Sequence, residues 1–197
     1  MDKFFKKISK NNLIFFTIIF LVALIAGSIF SIIINSGDKL LVTEHLNNYF
    51  NNLDKINYYN EFKSNIILNY IYITLIWILG FGILGIPILI LFYFLKSFIL
   101  GFVLGSIILN YKFKGVILGI LYLIPSNIIN MIIYTILIIN ALNLSLKLLN
   151  SIIFKKTIDF KQYVSKYTKL FFVIIILITI SNAYEVFLLP KIFNIFI

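Results

Sequence analysis

A chain of 197 residues that is 61% hydrophobic and only 12% charged, with a mean hydropathy of +1.05, lies outside the composition of water-soluble globular proteins. Its net charge of +10 comes from Lys with no Arg, so it lacks the guanidinium forks that nucleic-acid readers use, and no nucleic-acid partner is expected. Cys is absent, which excludes disulfides, thiolate metal sites and Cys nucleophiles.

From Ile66 to Leu146 the only charges are Lys96, Lys112 and Lys114. A soluble domain of this length would have no polar surface to show water over such a stretch, whereas a bilayer is the matching solvent. The expected fold is an all-α polytopic integral membrane protein, a single domain over 1–197 with about five transmembrane helices and one broken or re-entrant segment. Membrane lipids are therefore partners by necessity.

Lys3, Lys6, Lys7 and Lys10 precede a first apolar run, Leu13 to Ile34. The run is too long for a signal-peptide core, and no A-x-A cleavage pattern follows it, so a retained span with a cytoplasmic N-terminus is expected. Ala23 and Gly27, four apart, offer a smooth strip for another helix.

Residues 35–64 are polar and hold four of the seven acids, which suits the outer side. Val42, Leu46, Tyr49, Phe50, Leu53 and Ile56 recur there at helical spacing among asparagines. The pattern predicts an amphipathic helix resting on the outer membrane surface or in a partner's groove, with Leu46, Tyr49, Phe50 and Leu53 as its anchors.

The next run is interrupted by Gly80, Gly82, Gly85 and Pro87. Pro87 disfavours helix at Ile86, so a tight turn at 85–87 is expected between spans at 66–84 and 88–109. Lys96 then falls mid-span, where a charge costs roughly 2.5–3.5 kcal/mol on insertion scales. It would face an ion path, a partner's acid or another helix, or else snorkel to the headgroups. One tilted helix over 66–95 is the alternative, but it breaks the parity that the lysines demand. The segment 150–169 and its flanks are rich in Lys against Asp159 alone, so an even number of crossings must precede it. Lys155, Lys156, Lys161 and Lys166, with Ile152, Ile153, Phe154, Ile158 and Tyr163, suit contact with anionic lipid.

The run 116–149 would be roughly 50 Å long as an unbroken helix, well beyond the bilayer core. Pro125, Ser126 and Asn127 break it, predicting an oblique entry over 116–124 and a crossing over 128–148. Ser126 and Asn127 are placed to serve carbonyls freed at Pro125. Gly101 with Gly105, and Gly115 with Gly119, permit close helix approach. Asn69, Asn130 and Asn140 can bond between helices. A last span at 170–189 ends at Pro190, with the C-terminus outside, and Glu185 near its end reads as an interfacial cap or partner contact.

His45 is the only His, and no acid pair, Ser–His set, P-loop or Rossmann glycine pattern is present. No enzyme activity, metal or cofactor is expected. The stretches Trp77–Gly80, Gly85–Pro87, Leu95–Lys96, Gly101–Phe102, Gly105, Lys114–Gly115 and Pro125–Asn127, with Ala183–Tyr184 and Leu189–Pro190, resemble stage II sporulation protein M of endospore-forming bacteria. The resemblance implies a non-enzymatic membrane scaffold of the sporulation septum and the engulfing membrane. Its implied partners are stage II sporulation proteins D and P, which degrade peptidoglycan. A small channel or transporter is the alternative, motivated by Lys96 and the break at Pro125.

Overall fold

The computed structural model describes residues 10–53, 57–155 and 159–196, with the side chains of 124–125 and 194–196 left aside. Lys3, Lys6, Lys7, Ile56, Lys156, Ile158 and the Pro125 side chain thus lie outside the described residues. The described chain is all-α. The helices are α1 (Lys10–Ile33), α2 (Ser36–Asn51), α3 (Tyr58–Leu79), α4 (Gly85–Tyr122), a π-helical turn (Leu123–Asn127), α5 (Ile128–Phe154), α6 (Phe160–Phe187) and α7 (Leu189–Phe196). Five of these, α1, α3, α4, α5 and α6, are long and apolar enough to cross a bilayer.

Local chemistry moves several boundaries away from the expected ones. Asn57 accepts from the Asn60 amide at 3.3 Å, so α3 begins well before Ile66 with Glu61 in its favourable first turn. Asp159 caps α6 in the same way through Gln162, drawing that helix back to Phe160. The turn between α3 and α4 lies at 80–84, not at 85–87. Gly80 and Gly82 supply it, while Pro87 sits in the first turn of α4, where no amide donor is needed. Nor does Pro190 end the helical chain, because it stands in the first turn of α7.

The carbonyls at the end of α3 find side-chain donors. Tyr167 Oη donates to Ile76 and Trp77, and Ser145 Oγ donates to Gly80 at 2.9 Å. Lys39 Nζ does the same for Ile32 at the end of α1, at 2.7 Å.

α4 is two helices in one. Lys112, with φ 51° and ψ −121°, reverses the chain, and 113–122 folds back along the last turns before it. A Cβ on Gly115 would run into the Ile107 carbonyl and the Ile108 backbone, so glycine is what lets the two arms touch. The returning arm passes through the π-helical turn into α5.

Without a hydrophobic drive between lipid-solvated helices, close packing must hold them together. α1 lies parallel to α4 along two strips of buried small residues, Ala23, Gly27 and Ser31 on one helix and Ser97, Gly101 and Gly105 on the other. Side chains at Gly27 or Gly101 would collide with the Phe98 and Leu24 carbonyls. Ser28 Oγ donates across the seam to the Gly101 carbonyl at 3.0 Å. α5 is the central helix, with Tyr134, Leu137, Ile138, Ile139 and Ala141 fully enclosed. Ile73, Ile76, Leu89, Tyr93, Ile174 and Ile178 surround it.

At one end of the bundle, α2 and α7 form a cap. Phe50 lies edge-on to Tyr111 and Phe193, at 5.2 and 5.5 Å between ring centres. Thr43 donates to Asn110 at 2.8 Å and Tyr111 to Asn47 at 2.7 Å. Phe50 and Leu53 are 6% and 2% exposed, and Leu46 packs beside them. Leu46, Phe50 and Leu53 of the expected stripe thus pack on the chain's own α4 and α7 rather than on lipid or in a partner's groove, while Tyr49 is 40% exposed. The opposite end carries the turn at 80–84 and the Lys155 corner, where Ile152, Ile153 and Phe154 are exposed.

Candidate functional site

Lys96 lies eleven residues after the start of α4, roughly 16 Å along it, and points into the bundle. It does not snorkel. Its ammonium sits 5.5 Å from the centre of the Tyr72 ring and 5.8 Å from that of Tyr134, in cation–π range. The cavity it lines has a volume of about 140 Å³.

Four carboxamides line that cavity, alongside the apolar Leu68, Ile99, Leu100 and Met131. Asn65 and Asn69 come from successive turns of α3, and Asn127 and Asn130 from the start of α5. Tyr134 Oη donates to Asn69 Oδ1 at 2.5 Å, and Asn69 Nδ2 donates on to Asn182 Oδ1 at 2.9 Å. Asn127 Nδ2 donates to the Tyr122 carbonyl at 2.8 Å, serving a group that the π-helical turn frees. Asn130 is 6% exposed, and its Oδ1 has no hydrogen-bond partner among the described residues. Buried acceptors are rarely left so.

Glu185 also lines the cavity. The structure corrects its reading as an interfacial group, because α6 runs on beneath the cap and holds this carboxylate inside. Glu185 and Lys96 act on one another electrostatically, yet they form no direct ion pair among the described residues. Two opposite charges therefore share one chamber without touching.

A second cavity of about 270 Å³ lies between this chamber and the cap. Asn65, Tyr122 and Glu185 belong to the walls of both. Leu46, Tyr49, Phe50, Val103, Ile107, Leu189 and Phe193 give the outer cavity an apolar wall, and Glu61 adds a second carboxylate. The Tyr49 phenol is pushed up to about 12 by burial and then by Glu185 and Glu61, so it stays a neutral hydrogen-bond donor.

The residues singled out from sequence thus separate. Lys96 and Asn127 line the inner chamber, and Leu46, Tyr49 and Phe50 line the outer one. Leu53 packs in the cap, Gly101 and Gly105 form the seam with α1, and the backbone of Pro125 belongs to the π-helical turn. Sequence reasoning missed Glu185, Asn65 and Tyr122 as parts of one site. The signal available was a lone acid in one span and a lone base in another, since a buried charge needs a counter-charge.

Among the described residues no group of three His, Cys, Asp or Glu could hold a metal ion. The sequence model of the family described as Stage II sporulation protein M matches residues 13–190, which takes in every residue of both cavities except Phe193. The chain belongs to the stage II sporulation protein M family. No curated protein and no solved structure matches it. Membership in the sporulation protein M family and five membrane-crossing helices make it a sporulation-related multi-pass membrane protein.

Proposed function

We propose that this protein is a non-enzymatic scaffold of the sporulation septum and engulfing mother-cell membrane. In this reading it anchors the peptidoglycan-degrading stage II sporulation proteins D and P on the outer side. The Lys-rich corner around Lys155 is cytoplasmic, and the α2–α7 cap faces the peptidoglycan.

The cap is the observation that carries the reading. A helix tied to the bundle by Thr43–Asn110, Asn47–Tyr111 and the Phe50–Tyr111–Phe193 cluster is a fixed platform, not a trailing loop. Its free face is opposite the buried stripe. Leu41 is 57% exposed, and Glu44, His45 and Asn48 share its side of the helix. Docking on this face replaces docking on Leu46 and Phe50.

Changing Leu41→Asp together with Asn48→Asp leaves the buried stripe intact, so insertion and abundance are expected to be unchanged. Proteins D and P should no longer co-purify with the chain from sporulating cells, and engulfment should stall. Normal capture by the inserted double variant would refute the platform. The chamber between Lys96 and Glu185 favours a second reading, a small channel or transporter. Solute flux through the purified chain in liposomes would establish it, and tight liposomes would leave the scaffold.

A further inference from the structure

The two joined cavities are not accounted for by anchoring. From the cap inward, the charges run Glu61, Glu185, Lys96. The outer cavity has two carboxylates and no cation among its described lining residues, so it favours a ligand that enters with positive charge. The inner chamber offers Lys96 to a negative group. An anion alone would be repelled on the way in, and a cation alone would meet Lys96. A molecule with both charges a few atoms apart matches the order.

The space agrees. A cavity of about 140 Å³ far exceeds the roughly 10–15 Å³ that a single water needs on the same measure, so it admits more than water. A carboxylate and an ammonium on one carbon fit the same space. The unpartnered Asn130 Oδ1, buried and in the chamber wall, points to a ligand with a donor. The apolar wall of the outer cavity, with Val103, Ile107 and Phe193, suits an uncharged side chain.

Beyond Lys96 the path closes. Tyr93, Leu89, Ile73, Ile76, Leu137 and Ile138 are fully or nearly fully enclosed and fill the bundle toward the Lys155 end. The packed residues close the Lys155 side, and on the cap side the chamber adjoins the outer cavity through Asn65, Tyr122 and Glu185.

We infer that the chamber between Lys96 and Glu185 binds a small apolar amino acid as its zwitterion, the carboxylate on Lys96 and the ammonium on Glu185. The inference goes beyond the scaffold reading and does not depend on it. Capture of proteins D and P and occupancy of the pocket are separate readouts, and either can fail alone.

The test uses the purified full chain in phosphatidylcholine nanodiscs, whose headgroups carry no N–H to compete. Labelled alanine and leucine are titrated, with their N-acetyl and amide derivatives as probes that each lack one charge. Saturable binding of the free amino acids is expected, with each blocked form about tenfold to a hundredfold weaker. Lys96→Met and Glu185→Gln should weaken binding to a similar degree. Because the blocked probes act on the unmodified protein, the test stands even where a variant fails to fold. No saturable binding at millimolar concentration, or equal binding of free and blocked forms, would overturn the inference.

Discussion

Lys112 turns the chain with a positive φ of 51° and a ψ of −121°, a conformation that glycine adopts freely and a Cβ resists. Such a residue costs on the order of 1–3 kcal/mol unless its surroundings compensate. Lys112→Gly is therefore expected to stabilise the fold by about 1 kcal/mol, read as a rise of a few degrees in thermal unfolding in detergent. A lower melting temperature would mean that the lysine side chain holds the turn. Lys155, also at φ 51°, is a different case, because it closes α5 in the left-handed conformation that commonly ends helices. Single residues were legible unevenly. Lys96 stood out because a lone charge deep in an apolar helix has to be explained. Glu185 did not, because its position depends on where α6 ends. Pro190 suggested an end beside it, but the chain runs on into α7, which draws the carboxylate under the cap.

The small-residue strips were visible in the sequence, but not their pairing. Ala23 and Gly27 announced one smooth face, Gly101 and Gly105 another, yet any two such faces can meet. What pairs them is a shared four-residue repeat in parallel helices, extended by Ser31 on one side and Ser97 on the other. Gly115 shows the limit, since its spacing with Gly119 suggested another helix but its partner is the preceding arm of its own. The seam makes a sharp prediction. Gly101→Leu would force a side chain into the Leu24 carbonyl, and overpacking of this kind typically costs about 1–3 kcal/mol. Phe30 and Phe98, with ring centres 5.6 Å apart across the same seam, report on it. A Phe30→Cys/Phe98→Cys pair is expected to cross-link readily on the Gly101 background and poorly with Gly101→Leu. Equal cross-linking would show that α1 docks without the seam.

The number of helices long enough to cross was legible from apolar run lengths, because the bilayer sets that length, while the direction of the chain rests on lysine placement. The cap was not, because a helix that rests on lipid and one that rests on its own bundle carry the same stripe. The geometry now gives the orientation a strict form. α2, the Lys112 turn and α7 share one end, and the 80–84 turn and the α5–α6 corner share the other, so one labelled position at each end fixes the whole molecule. Asn48 is exposed on α2, and Gln162 is exposed at the start of α6. The chain has no Cys, so Asn48→Cys and Gln162→Cys each give one reactive thiol. With the lysine-rich corner held in the cytoplasm, an impermeant thiol reagent on intact protoplasts should label Asn48→Cys and leave Gln162→Cys untouched until the membrane is opened. The reverse pattern would invert the protein and put the cap, with its free face and the outer cavity beneath it, in the cytoplasm. Labelling of both in intact protoplasts would mean that the two ends do not lie on opposite sides, and five crossings would be the wrong number.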